Sequence, residues 1–72
     1  MKNGMNSKNE KEFLDTMIAK QQKCKIITMN GYQMIAVINA HDDTSIIGKS
    51  IGHKDPFLMY KNAISTIMPY GH

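Results

Sequence analysis

The hydrophobic pattern changes period once along the chain, near residue 22, and that change limits what the chain can fold into. Upstream, SKNEKEFLDTMIAKQQ sets Phe13, Leu14, Met17 and Ile18 on one stripe at helical spacing, with Lys11, Asp15 and Lys20 elsewhere. The spacing predicts a helix over about residues 9–21, opened by Ser7 with Glu10, or Asn9 with Glu12, at capping-box spacing. Residues 1–8 read as a flexible N-terminus. Downstream the period is two. KCKIITMNG puts Cys24, Ile26 and Thr28 on one face and Lys25, Ile27 and Met29 on the other. Asn30-Gly31, both tolerant of positive φ, predicts a tight hairpin turn. YQMIAVINA reads as a second strand, HDD as a turn, TSIIGK as a third strand and SIGHKDP as a loop. FLMYKN and AISTIM complete the set before Pro69. One helix followed by five short antiparallel strands is a mainly β fold, a small, strongly bent sheet or SH3-like barrel.

A domain this short buries only about 60% of its unfolded surface. Cys24 is the only cysteine, so no disulfide staples the chain, and no Cys/His spacing suggests zinc. Self-association is therefore the expected route to cover what one copy leaves exposed. The lone cysteine fits a reducing compartment. No apolar run approaches the roughly 18 residues of a membrane span, and no signal-peptide pattern opens the chain. A cytoplasmic protein with no membrane contact is expected.

The net charge is +3, with the positive excess in residues 1–25, and all nine basic residues are lysine. Lysine offers phosphate a point charge without arginine's planar fork. The surface can attract a polyanion without shape-specific phosphate recognition. No Ser/His/Asp set, P-loop or glycine-rich fingerprint appears, so no enzyme, cofactor, metal or small-molecule substrate is expected. His41, Asp42 and Asp43 are contiguous in a turn, which does not favour their convergence on one site; His53 and His72 have no expected ligand partner. Met17, Met29, Met34, Met59 and Met68 read as core and interface filler.

One segment breaks the strand pattern. MYKNAISTIMP carries Lys61-Asn62 inside an otherwise β-like stretch. Within it, YKNAIS (Tyr60–Ser65) resembles the second Sm motif, Tyr-Lys-His-Ala-Ile-Ser, of the bacterial Sm-like Hfq family. Phe13-Leu14 in the helix, Asn30-Gly31 at the first hairpin, Asp42 at the first-motif aspartate, Lys49 ending the third strand, and Thr66, Ile67 and Pro69 extend the resemblance. It spans residues 10–69, with an insertion of about three residues in the loop around Gly52–Pro56.

The resemblance implies an Sm-like domain over residues 9–69 and a short tail over 70–72, assembled as a homohexameric ring. The fourth strand of one subunit would pair with the fifth of the next, through Tyr60, Ile64, Ser65, Ile67 and Met68. The implied function is an RNA chaperone in post-transcriptional and translational regulation, holding single-stranded RNA on the ring faces. On the proximal, pore face Lys61 matches an RNA-contacting lysine, while Asn62 replaces a histidine, Thr44 a stacking aromatic and Asp43 a neutral amide. Glu10 stands where the family often has glutamine. A base–aromatic stack contributes about 1–3 kcal/mol, so U-rich RNA should be held weakly there. On the distal face Gly31 matches, Tyr32 and Gln33 follow it, and Ile27 replaces the first-strand aromatic, so A-rich RNA should bind at least as well. Lys20 and Lys23 leave a weak basic rim where relatives carry arginines. The rival expectation is a divergent Sm-fold paralogue with weak or lost RNA binding, acting as an interaction or mixed-oligomer subunit or as a monomer.

Overall fold

Five antiparallel strands form one sheet in the order β4-β3-β2-β1-β5, which leaves β4 and β5 as its two edges. The computed structural model describes residues 3–71: α1 (Asn3–Lys20), β1 (Lys23–Thr28), β2 (Gln33–His41), β3 (Ser45–Ser50), β4 (Phe57–Tyr60), a 3₁₀ turn (Lys61–Ala63) and β5 (Ile64–Pro69). Residues 1–2, part of the expected flexible N-terminus, and His72, for which no ligand partner was expected, lie outside that range. The fold class expected from the sequence is the one observed.

The long β2 is where the sheet bends. Its first half pairs with β1 (Lys23 opposite Val37 through Ile27 opposite Gln33), and its second half pairs with β3 (Ala36 opposite Ser50 through His41 opposite Ile46). A register shift between Ile38 and Ala40 marks a bulge, which increases local twist. At Gly48 two strands come close enough that a Cβ would meet the Val37 carbonyl oxygen at 2.5 Å. Only glycine fits there.

The core is small: Leu14 and Met17 from α1, Cys24 and Ile26 from β1, Ala36 and Ile38 from β2, and Ile46 from β3. The strand members follow the two-residue alternation, and the helix members follow the expected stripe, with Phe13 and Ile18 packed at its margin. Burial raises the Cys24 thiol above its ordinary pKa.

Several local expectations are corrected. Helix α1 begins at Asn3 rather than near residue 9, so Ser7 and Asn9 are helical positions and not caps. It ends at Lys20, one residue early, because Gln21 turns left-handed (φ 51°) and the Gln22 amide donates to the Met17 carbonyl. In the first hairpin only Gly31 has positive φ (90°); Asn30 does not. The Gly31 amide donates to the Thr28 carbonyl and the Thr28 amide to the Tyr32 carbonyl, so the loop is Met29-Asn30-Gly31. That loop leaves Met29 69% exposed and outside the core of the single copy.

Candidate functional site

Lys61 opens the 3₁₀ turn between the edge strands, and its amide donates to the Thr44 carbonyl at 2.7 Å. Its ammonium reaches back to the helix and bonds the Glu10 carboxylate, leaving the lysine side chain 16% exposed. On its other flank lies His41 Nδ1, at 3.3 Å from Lys61 Nζ. His41 Nε2 in turn lies 2.8 Å from Asp15 Oδ1, while the second Asp15 oxygen accepts from Lys11 Nζ at 2.8 Å. The neutral Nε2–H tautomer satisfies both imidazole contacts, donating to Asp15 and accepting from Lys61. The chain Glu10–Lys61–His41–Asp15–Lys11 thus ties the helix to β2 and to the turn. Lys11, then His41, holds the Asp15 carboxyl below the usual carboxylate range.

His41 is the residue that the sequence reading missed. It ends β2 instead of opening the turn, and the bulge after Ile38 directs it to the helix. Contrary to the expectation that they would not converge, His41, Asp42 and Asp43 all line one groove, although Asp42 also has its own task. Its Oδ1 accepts from the Thr44 and Ser45 amides, both at 2.9 Å, and from the Ser45 hydroxyl at 3.1 Å. The Thr44 amide first, then that of Ser45, holds its carboxyl below the usual range. Thr44 consequently sits in the turn, one residue before β3, and does not begin the strand as expected.

Four of the residues assigned to the pore side from the sequence come together here. Asp43 lines the same groove of about 620 Å³ as Lys61. Thr44 is joined to Lys61 through the backbone, and Asn62 is exposed next to it in the turn. The groove is also lined by Lys8, Glu10, Lys11, Asp15 and Asp42, so three lysines face four carboxylates. No group of three or more His, Cys, Asp or Glu among the described residues could hold a metal ion.

The residues assigned to the opposite face gather at the first hairpin. Ile27 pairs directly with Gln33, and Gly31 and Tyr32 follow in the loop, with Tyr32 63% exposed. The rim pair is split: Lys20 lies in the last turn of α1, whereas Lys23 opens β1 beyond the left-handed Gln21. Of the residues assigned to subunit contact, Tyr60 and Met68 are exposed and Ser65 faces solvent, while Ile64 and Ile67 are half-buried against the core. No helix among the described residues is long and apolar enough to cross a membrane.

Three comparisons bear on this arrangement. A family model described as Hfq protein matches residues 10–72. The RNA-binding protein Hfq of Chelativorans sp. (strain BNC1) is 35% identical over 57 residues, covering 79% of this chain and 67% of that protein. That of Rhizobium etli (strain CIAT 652) is 35% identical over 57 residues, covering 79% and 69%. A crystal structure of the pleiotropic translational regulator Hfq aligns with a TM-score of 0.75 at 32% identity, covering 82% of this chain and 95% of that one.

Proposed function

The chain belongs to the Hfq family, and from that premise we propose that it binds single-stranded RNA on the faces of a homohexameric ring and acts as a cytoplasmic RNA chaperone in post-transcriptional regulation. The observation that carries the reading is the Tyr60–Ser65 segment, set where the two edge strands meet, with Lys61 at the head of the turn. Each copy presents β4 and β5 as open edges at opposite ends of its sheet. Pairing β4 of one copy with β5 of the next satisfies both sets of backbone groups, and a closed ring leaves none over. Tyr60, Ile64, Ser65, Ile67 and Met68 line that junction.

A ring repeats each weak site around one axis, so RNA contacts add by avidity. Lys61, with Asn62, Thr44 and Asp43, forms the pore-side site for U-rich RNA. Its lysine is committed to Glu10 and its groove carries more carboxylates than lysines. The hairpin site of Gly31, Tyr32, Gln33 and Ile27 takes A-rich RNA and is the stronger of the two. Lys20 and Lys23 add a weak rim contribution.

Sedimentation at tens of micromolar, alone and with A-rich or U-rich oligonucleotides at low salt, tests both halves. The expected result is a hexamer that carries A-rich RNA at least as well as U-rich RNA. A monomer at those concentrations refutes the ring. Failure of both oligonucleotides to co-sediment refutes the RNA function.

A further inference from the structure

A second groove, of about 430 Å³, lies on the sheet face turned away from the core. Lys23, Lys25 and Ile27 reach that face because they alternate with the buried Cys24 and Ile26. The last described residues complete it. Tyr70 was expected to belong to a tail, yet its amide donates to the Lys23 carbonyl at 2.8 Å, and Gln22 Nε2 donates to its carbonyl at 3.4 Å. These bonds carry the β5–β1 pairing one residue past Pro69 and set the Tyr70 ring 5.8 Å from Lys25 Nζ.

We propose that this groove binds a base of single-stranded RNA stacked on Tyr70, with the adjoining phosphates held by Lys23 and Lys25. The proposal rests on the RNA-binding reading and extends it to residues outside the hairpin. Tyr32 forms one wall and Tyr70 another, and both are large, exposed aromatic surfaces, 63% and 46% accessible. Ile51 and His53, from the segment that leads into the inserted loop, close the third side. No carboxylate among the described residues lines the groove. Lys23 is the lysine that lines the groove, and Lys25 stands beside it over the Tyr70 ring; flat π-surfaces next to ammonium groups are what a nucleobase and its phosphate require, and they do not depend on base identity. The groove also offers a stacking surface where Ile27 provides none.

The chain has three tyrosines and no tryptophan, which supplies a direct readout. In a Tyr32→Phe/Tyr60→Phe background, Tyr70 is the only strong fluorophore. Titration with oligoadenylate should quench its emission, with the same midpoint that anisotropy gives for binding. Tyr70→Ala should weaken oligoadenylate binding by about five-fold or more, the range for losing one base stack, and Tyr70→Phe should retain it. Lys25→Ala should flatten the salt dependence by about 0.7 for each phosphate that the variant no longer neutralises. Unquenched Tyr70 together with unchanged affinity in Tyr70→Ala overturns the proposal while RNA binding by the protein stands. No oligoadenylate binding by the parent ring at low salt overturns the RNA reading and this proposal with it.

Discussion

Glu10→Gln isolates the contact that most directly opposes RNA at the proposed Lys61 site. The substitution keeps an acceptor beside Lys61 and removes its charge, so the fold contact persists while the ion pair does not. Glu10 is 49% exposed and Lys61 is 16% exposed, which places the pair near the boundary between screened and shielded. Partly exposed pairs of this kind contribute about 0.2–1 kcal/mol. If RNA must break that pair to reach Lys61, its removal should tighten each Lys61 contact by about 1.4- to 5-fold, and ring avidity raises the observed gain further. A freed ammonium also neutralises a phosphate, so the slope of log affinity against log salt should steepen by about 0.7 per contact. Anisotropy with a U-rich oligonucleotide at several salt concentrations reads both quantities. The double variant Glu10→Gln/Lys61→Ala closes the cycle and should show no gain over Lys61→Ala alone. Parental affinity and slope in Glu10→Gln, or a gain that survives removal of Lys61, would refute the reasoning.

Three further outcomes are expected. Leu58→Lys, at an exposed position of the β4 edge (54% accessible), should shift sedimentation from ring to monomer while circular dichroism stays β-rich, because an edge lysine blocks strand addition; an unchanged ring would remove β4 from the junction. Gly48→Ala drives a Cβ to within 2.5 Å of the Val37 carbonyl oxygen and should cost about 1–3 kcal/mol, seen as a melting point lower by about 4–8 °C per kcal/mol, whereas an unchanged melting point would mean the strands separate freely. Asp42 and Asp15 have folded-state carboxyls held below the ordinary 3.8, so their contribution is present above that pH and is lost as pH falls through the lower folded values; Asp42→Asn should flatten the acid limb of melting temperature against pH, and an unaltered limb would assign acid lability elsewhere.

The parts of the fold legible in the sequence are those governed by period. Leu14, Met17, Cys24, Ile26, Ala36 and Ile38 are buried where helical or two-residue spacing sets them. The misread features depend on backbone events that leave no periodic trace. The bulge after Ile38 moves His41 from the turn into β2, and neither residue signals it. The hairpin carries its positive φ at Gly31 alone, so Asn30-Gly31 marks a turn without fixing its length. Gly48 looks unexceptional within SIIGKS, yet two strands converge on it. Tyr70 follows Pro69, where a strand is expected to stop; the Lys23 carbonyl and the Gln22 side chain, distant in sequence, hold it in register.

What separates the two grooves is less the amount of positive charge than whether that charge is already engaged. On the pore side Lys61 and Lys11 are bonded to Glu10 and Asp15, and Asp42 and Asp43 add negative charge to the same groove. An RNA phosphate arriving there must displace a carboxylate before it gains an ammonium, and the exchange of one anion for another yields little net free energy. On the opposite side no carboxylate among the described residues lines the groove with Lys23, and Lys25 lies over an aromatic ring that a base can also use. Phosphate binding there releases counterions without breaking an internal pair, and stacking adds to it. The same lysine-only composition therefore gives one self-neutralised site and one open site. This asymmetry, set by Glu10 and Asp15 reaching the groove from one helix, is the physical basis for expecting A-rich RNA to hold more firmly than U-rich RNA.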